Sequence, residues 1–222
     1  MESHLRYAPR LHGPRPRGIV GGGVALGVAL VLAGLVAPDD ATPKGGPVLV
    51  SENFQSPALP EGWRFDREGV WTVRAGKLHA KLPDRKQERS LAFFGSSEWK
   101  NYAVDLDMRQ IRGVDKGIVV RVDDSEGVGI DLRGTGYDDI VMYRGFSQLG
   151  KASAPNRNGR WYHVRVEVQG NRYRVYVNRA LKIDYADDGN RSPAGRLALA
   201  AYTGGAGECE VSYDNVVVRP LP

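Results

Sequence analysis

Apolar side chains recur at every second position through residues 164–177. Val164, Val166 and Val168 alternate with polar residues, Gly170-Asn171 interrupts, and the alternation resumes at Tyr173, Val175 and Val177. A period of two marks a half-buried strand, and a Gly-Asn pair between two such runs predicts a β-hairpin with a two-residue loop. That loop sets the register: Gln169 pairs with Arg172, Val168 faces Tyr173, Val166 faces Val175, and Val164 faces Val177. On the opposite face Glu167 lies across from Arg174 and Arg165 across from Tyr176. A three-residue loop over 178–180 then carries the apolar parity into Leu181, Ile183 and Tyr185, and sets Arg174 against Asp184.

Further strand-like runs fall near residues 48–54, 70–74, 77–82, 90–95, 102–110, 117–123, 127–134, 138–144, 195–202 and 209–218, with no amphipathic helix between them. Many short strands separated by Gly, Asn and Asp turns predict an all-β fold, a two-sheet antiparallel sandwich of jelly-roll type.

A different pattern opens the chain. Residues 18–37 contain no charged or strongly polar side chain, and at ~1.5 Å per residue they match, as a helix, the thickness of a bilayer's hydrocarbon core. Arg6, Arg10, Arg15 and Arg17 precede this run and Asp39 and Asp40 follow it, which orients the N-terminus to the cytoplasm. The expected organisation is a basic cytoplasmic tail (1–17), a transmembrane signal anchor (18–37), a Pro-, Gly- and Asp-containing linker (38–47) and one extracytoplasmic domain (48–222). Secretion after signal-peptide cleavage is the alternative, but Leu35 and Asp39 stand where a cleavage site wants small residues.

Charge and cysteine usage narrow the function classes. The chain's net charge is +5, yet four Arg against Glu2 within residues 1–37 account for most of it, so the domain is close to neutral. A nucleic-acid surface, which needs a clustered basic patch, is not indicated. Cys209 is the only cysteine, so no intrachain disulfide forms, and its alternation with Val211 and Tyr213 marks it as a core residue. His4, His12, His79 and His163 are too scattered for zinc-ligand spacing. Gly134-Thr-Gly136 lacks the Lys-Ser/Thr and the helix of a phosphate loop and reads as a turn. No cofactor is required by any motif.

Several blocks in order carry a family likeness. Ser51-Glu-Asn-Phe54 with Gly62-Trp63, Trp71-Thr-Val-Arg-Ala-Gly-Lys-Leu78, Tyr102-Ala-Val-Asp-Leu-Asp-Met108, Gly117-Ile-Val-Val-Arg121, the Trp161 hairpin, Gly195-Arg-Leu-Ala-Leu199 and Tyr213-Asp-Asn-Val-Val-Val218 together resemble the concanavalin A-like lectin/glucanase superfamily. The likeness is strongest to laminin-G-like and 3-keto-disaccharide hydrolase-like domains of bacterial surface proteins, and it covers residues 48–219. It implies a jelly roll that binds a glycan or another cell-surface ligand on its concave sheet. Cleavage of glycosides, as in the keto-disaccharide hydrolases, and laminin-G-like protein interaction are the alternatives it leaves open.

The Glu-x-Asp-x-x-Glu strand of the family 16 glycoside hydrolases is missing. A retaining glycosidase needs two carboxyl groups about 5 to 5.5 Å apart, and Asp105 with Asp107 is the nearest imitation. Asp105, Asp107 and Asp131 are thus the catalytic candidates for an enzyme. Alternation places Asp105, Asp107 and Arg109 on one face with Val104, Leu106 and Met108 inward. The same rule turns Arg121, Asp123, Asp131, Arg133 and Tyr143 outward, with Val120 and Val122 inward. If strands 102–144 form the concave sheet that the resemblance implies, these residues line one shallow ligand groove. Trp99 and Tyr137 are its expected aromatic rim, whereas Trp161 reads as structural. The resemblance also places Glu52 and Asp214 where related jelly rolls hold a structural calcium, an ion that wants six to eight oxygen ligands.

Overall fold

A computed structural model describes residues 47–222 apart from 124, 125, 135, 190 and 191. Its strands are β1 (Val50–Glu52), β2 (Arg64–Phe65), β3 (Trp71–Arg74), β4 (Lys77–Lys81), β5 (Arg89–Phe94), β6 (Tyr102–Gly113), β7 (Asp115–Val122), β8 (Val128–Arg133), β9 (Asp139–Arg144), β10 (Ser147–Ser153), β11 (Trp161–Gln169), β12 (Arg172–Val177), β13 (Ala180–Ala186), β14 (Arg196–Tyr202) and β15 (Cys209–Pro220). They form two sheets. Sheet A runs β13-β12-β11-β6-β15-β4-β3 with β1 paired to β15, and sheet B runs β10-β9-β8-β7-β14-β5-β2. The pairings are antiparallel, as expected of a jelly-roll sandwich.

The β11–β12 hairpin has the register its sequence predicts, from Gln169 opposite Arg172 to Val164 opposite Val177. The next turn is tighter than expected. Val177 pairs with Ala180, so only Asn178 and Arg179 form the loop, both at positive φ (47° and 69°). A bulge opposite Val175 and Tyr176 absorbs the extra residue, which restores Arg174 opposite Asp184 but leaves Leu181 beside Tyr176, on the outer face and 51% exposed. Two strands lacked a sequence signal. β2 is two residues long, and β10 is a polar edge strand whose sequence, Ser-Gln-Leu-Gly-Lys-Ala-Ser, does not alternate.

The core lies between the sheets, where residues such as Leu78, Leu106, Val166, Ile130 and Leu199 are fully enclosed. Each such side chain contributes about 1.5–3 kcal/mol by leaving water. Two tyrosines tie the sheets together through polar tips. The Tyr213 hydroxyl of β15 crosses the core to donate to the Ala200 carbonyl at 2.6 Å, with the Gly117 carbonyl 3.0 Å away. The Tyr102 hydroxyl of β6 accepts the Arg121 backbone N–H at 2.9 Å.

The topology separates strands that the sequence suggested as one surface. β6 sits in sheet A between β11 and β15, whereas β7, β8 and β9 belong to sheet B. Residues 18–37, the expected membrane anchor, lie outside the described residues. Among the described residues no helix is long and apolar enough to cross a membrane.

Candidate functional site: a groove on the outer face of sheet B

The pairing of sheet B sets rows of side chains across its outer face. One row reads Leu91, Ala200, Gly117, Asp131 and Val141 across β5, β14, β7, β8 and β9. The next reads Phe93, Ala198, Val119, Gly129 and Tyr143, and on the other side Arg89, Tyr202 and Asp115 follow one another. Glycine and alanine occupy the middle of these rows and larger side chains their ends, so the face is hollow. The result is a groove of about 660 Å³. Ala198 points away from the sandwich core and still has no exposed surface. Gly117 is required by close strand approach, since a Cβ there would lie 1.8 Å from the Ile130 carbonyl oxygen.

The polar half of the groove holds two carboxylates under strain. Burial, then the neighbouring Asp115 charge, push the Asp131 carboxyl up to about 7, against the opposing pull of Arg133 and Lys116. Burial likewise raises Asp115. Tyr143 stands beside them, and burial and the Asp131 charge hold its phenol well above the ordinary tyrosine value. Arg133 is committed elsewhere: Nε and Nη2 donate to both oxygens of Asp139 at 2.7 and 2.6 Å, and its guanidinium stacks 4.2 Å from the centre of the Tyr137 ring. A carboxylic acid still protonated near pH 7 donates a hydrogen bond that an ionised one only accepts, so Asp131 is equipped for both roles.

The groove on sheet B therefore brings together Asp123, Asp131, Arg133 and Tyr143 of the residues anticipated from sequence; Tyr137, in the β8–β9 loop, stacks on Arg133 but does not line the groove. The groove does not include Asp105, Asp107 and Arg109, which lie on the outer face of sheet A. There Asp105 accepts from Arg165 Nη1 at 2.6 Å and lies 3.2 Å from His163 Nε2, while Asp107 lies 2.9 Å from His163 Nδ1 and accepts from Asn215 Nδ2 at 2.8 Å. Burial would raise Asp105, but the hydrogen bonds and charges of His163 and Arg165 outweigh it and hold the carboxyl below its usual value. The single groove spanning strands 102–144 is thus corrected to two separate faces.

Arg121 is a second correction. Its backbone adopts φ 48° and the ladder to β14 shifts register at this point, so side-chain parity inverts. Val122 turns out to the groove side and Arg121 turns in, 1% exposed, donating to the carbonyls of Lys100 (2.7 Å) and Ser192 (3.0 Å) and to the Tyr173 hydroxyl (3.3 Å). One extra residue in a bulge is enough to move a side chain across the sheet.

The aromatic assignments exchange places. Trp99 is partly buried against the core, its ring packed over Gly95 and tilted on Tyr102, and it does not border the groove. Trp161 is 39% exposed, with Arg109 and Lys77 set against its ring. Glu52 accepts the Phe54 N–H, and Asp214 pairs with Lys77 at 2.5 Å. Among the described residues no group of three or more His, Cys, Asp or Glu is placed to hold a metal ion.

Residues that sequence reading passed over complete the site: Asp115, Arg89, Gln87 and Tyr202 at the polar end, and Leu91, Phe93 and Phe146 at the apolar end. The signal that could have found the floor is apolar continuity. Ser90-Leu-Ala-Phe-Phe94 and Leu197-Ala-Leu-Ala-Ala201 do not alternate, and a continuous run indicates a strand covered on both faces.

The two-sheet antiparallel sandwich is the fold that the resemblance to the concanavalin A-like superfamily implied. Solved structures with this fold include the carbohydrate-binding module CBM66 from Bacillus subtilis (TM-score 0.60, 17% identity, covering 71% of this chain and 95% of that one). A protein of unknown function with a galectin-like fold, also from Bacillus subtilis, superposes with a TM-score of 0.65 at 12% identity over 80% of this chain and 97% of its own. The family GH16 endo-β-1,3(4)-glucanase SCLam does so at 0.61 and 14% identity over 81% and 93%. The chain belongs to the family of 3-keto-alpha-glucoside-1,2-lyase-like domains, matched over residues 54–219. No curated protein matches it by sequence.

Proposed function

We propose that this domain binds a saccharide in the groove of sheet B, held outside the cell membrane by the apolar segment at 18–37. The observation that carries the reading is the groove itself: a hollow of about 660 Å³ with a floor of Gly and Ala residues, lined by Asp115, Asp131, Arg89, Tyr143 and Tyr202. Small-molecule sites are concave and mostly apolar with a few convergent polar groups. Carboxylate, guanidinium and phenol match ring hydroxyls, and aromatic faces cover the ring's apolar side. A carbohydrate-binding module among the structures of similar fold is consistent with this.

Gly129→Val is the direct test. A Cβ at Gly129 meets only the Tyr143 ring, at 3.8 Å, so the fold accepts valine while its methyl groups fill the groove. Calorimetric titration with the glycans selected on an array should show at least about a tenfold loss of affinity. Unchanged binding would remove the groove from consideration.

The raised Asp131 carboxyl beside Asp115 supports a second reading, a lyase or hydrolase acting on a keto-glycoside. A proton donor or acceptor titrating near neutrality is what general acid–base catalysis requires. Turnover of a 3-keto-glucoside that is lost in Asp131→Asn, with binding retained, would establish it over binding alone.

A further inference from the structure

The groove's lining is uneven. Past Asp131 the wall carries Phe93, Val119 and Val122, with Tyr143 across the same row and Asp123 and Glu126 at the border, and it ends at Phe146, whose side chain at the tip of the β9–β10 turn is fully exposed. Phe93, Val119 and Val122 form, together with Leu91, Ala198 and Ala200, an apolar cluster separate from the sandwich core, on the side of the sheet that faces solvent. An apolar cluster on an outer face is unusual because nothing in the fold requires it.

We infer that the groove takes an amphipathic glycoside, with its sugar at the Asp115–Asp131 end and an uncharged, ring-sized apolar aglycone on the Phe93–Val122–Phe146 end. The inference rests on the groove being the ligand site. A continuous sugar chain fits this geometry poorly. Hydroxyls pressed against Val119 and Val122 would lose water without gaining a partner, which costs a polar group its hydration. An aglycone reverses that balance, since its burial covers both surfaces at once. Charge at the apolar end is mixed: Asp123 and Glu126 border it, and the Arg64 guanidinium lies over the Phe93 ring, 3.9 Å from its centre, so the apolar surface, not net charge, selects the aglycone.

The experiment compares methyl with p-nitrophenyl pyranosides, in both anomers, of glucose, galactose, mannose and xylose, titrated into the full chain. For each sugar that binds, the p-nitrophenyl glycoside should bind about tenfold or more tightly than the methyl glycoside. In Phe146→Ser, a change at a fully exposed position, and in Phe93→Ser that ratio should fall toward about twofold. Equal affinity for the two series, with binding still abolished by Gly129→Val, overturns the aglycone inference and leaves the groove reading standing. Binding by none of the glycosides overturns both. An aryl preference that survives both Phe substitutions places the ring elsewhere and also overturns it. So does a dimer, seen in sedimentation, that Phe146→Ser dissolves without any aryl preference, because the apolar end would then cover a second copy of the chain.

Discussion

The two outer faces of this sandwich both carry carboxylates, and they treat them in opposite ways. On sheet A, Asp105 is answered by Arg165 and His163 and is held below the usual carboxylate range. On sheet B, Asp131 lies low in a hollow beside another carboxylate and is pushed up to about 7. The difference is one of partners. Ion pairing on sheet A compensates the Asp105 charge locally. On sheet B burial and the Asp115 charge act on Asp131 together, and the pull of Arg133 and Lys116 does not offset them. Such uncompensated groups concentrate at functional sites.

The largest expected effect falls on Arg121, the inward-turned residue of the sheet B bulge. Arg121→Ala removes the donor to the Ser192 carbonyl and the Tyr173 hydroxyl in the interior and to the Lys100 carbonyl at its margin, and urea unfolding should show a loss of about 3–5 kcal/mol. If ligand affinity nevertheless persists, the bulge is set by the backbone and the Arg121 side chain serves stability alone.

Asp105→Asn and Asp131→Asn should then move stability in opposite directions. The Asp105 carboxyl is lowered on folding, so its contribution is present above the unfolded value and fades as pH falls through the folded one. Its loss should cost about 2 kcal/mol at pH 7. Asp131 is raised on folding, so ionising it opposes folding as pH climbs from the unfolded value toward about 7. Asp131→Asn should therefore raise stability by about 1–2 kcal/mol at pH 8 and leave it unchanged at pH 4. Destabilisation by both substitutions at pH 8 would erase the contrast between the faces.

The smallest effect belongs to His163, whose ring is raised chiefly by its hydrogen bond to Asp105 against the effect of burial. Its stabilisation is complete below the unfolded histidine value and is lost as pH rises through the higher folded value. Because the side chain is 41% exposed, His163→Gln should cost under about 1 kcal/mol at pH 6 and nothing measurable at pH 9. Thermal melts across that range read the difference.

How much of this was legible in the chain depends on whether a feature is local. The β11–β12 register follows from period and turn type, both encoded within a few residues, and the structure keeps it pair for pair. The inward set Val104, Leu106 and Met108 was equally readable, because alternation within one strand needs no knowledge of its neighbours. Leu181 was misplaced because a two-residue turn and a later bulge give the same pairing at Asp184 as a three-residue turn does. Only the intervening residue distinguishes them. Arg121 was misplaced for the same reason, since a bulge at a non-glycine residue with positive φ leaves no mark in the hydrophobic pattern.

The sequence by itself determined an all-β sandwich, its principal hairpin and the faces of most individual strands, since those depend on side-chain period and turn chemistry along a short stretch of chain. The tertiary structure alone decided which strands share a sheet. It moved β6 away from β7, β8 and β9 and thereby split one imagined groove into an ion-paired face and a hollow one. It also set Asp115 near Asp131 and laid Phe93, Val119 and Val122 beside them, because antiparallel pairing aligns residues from five strands that are far apart along the chain. A site assembled by pairing across strands has no period and no spacing to read, whereas the strands that build it do.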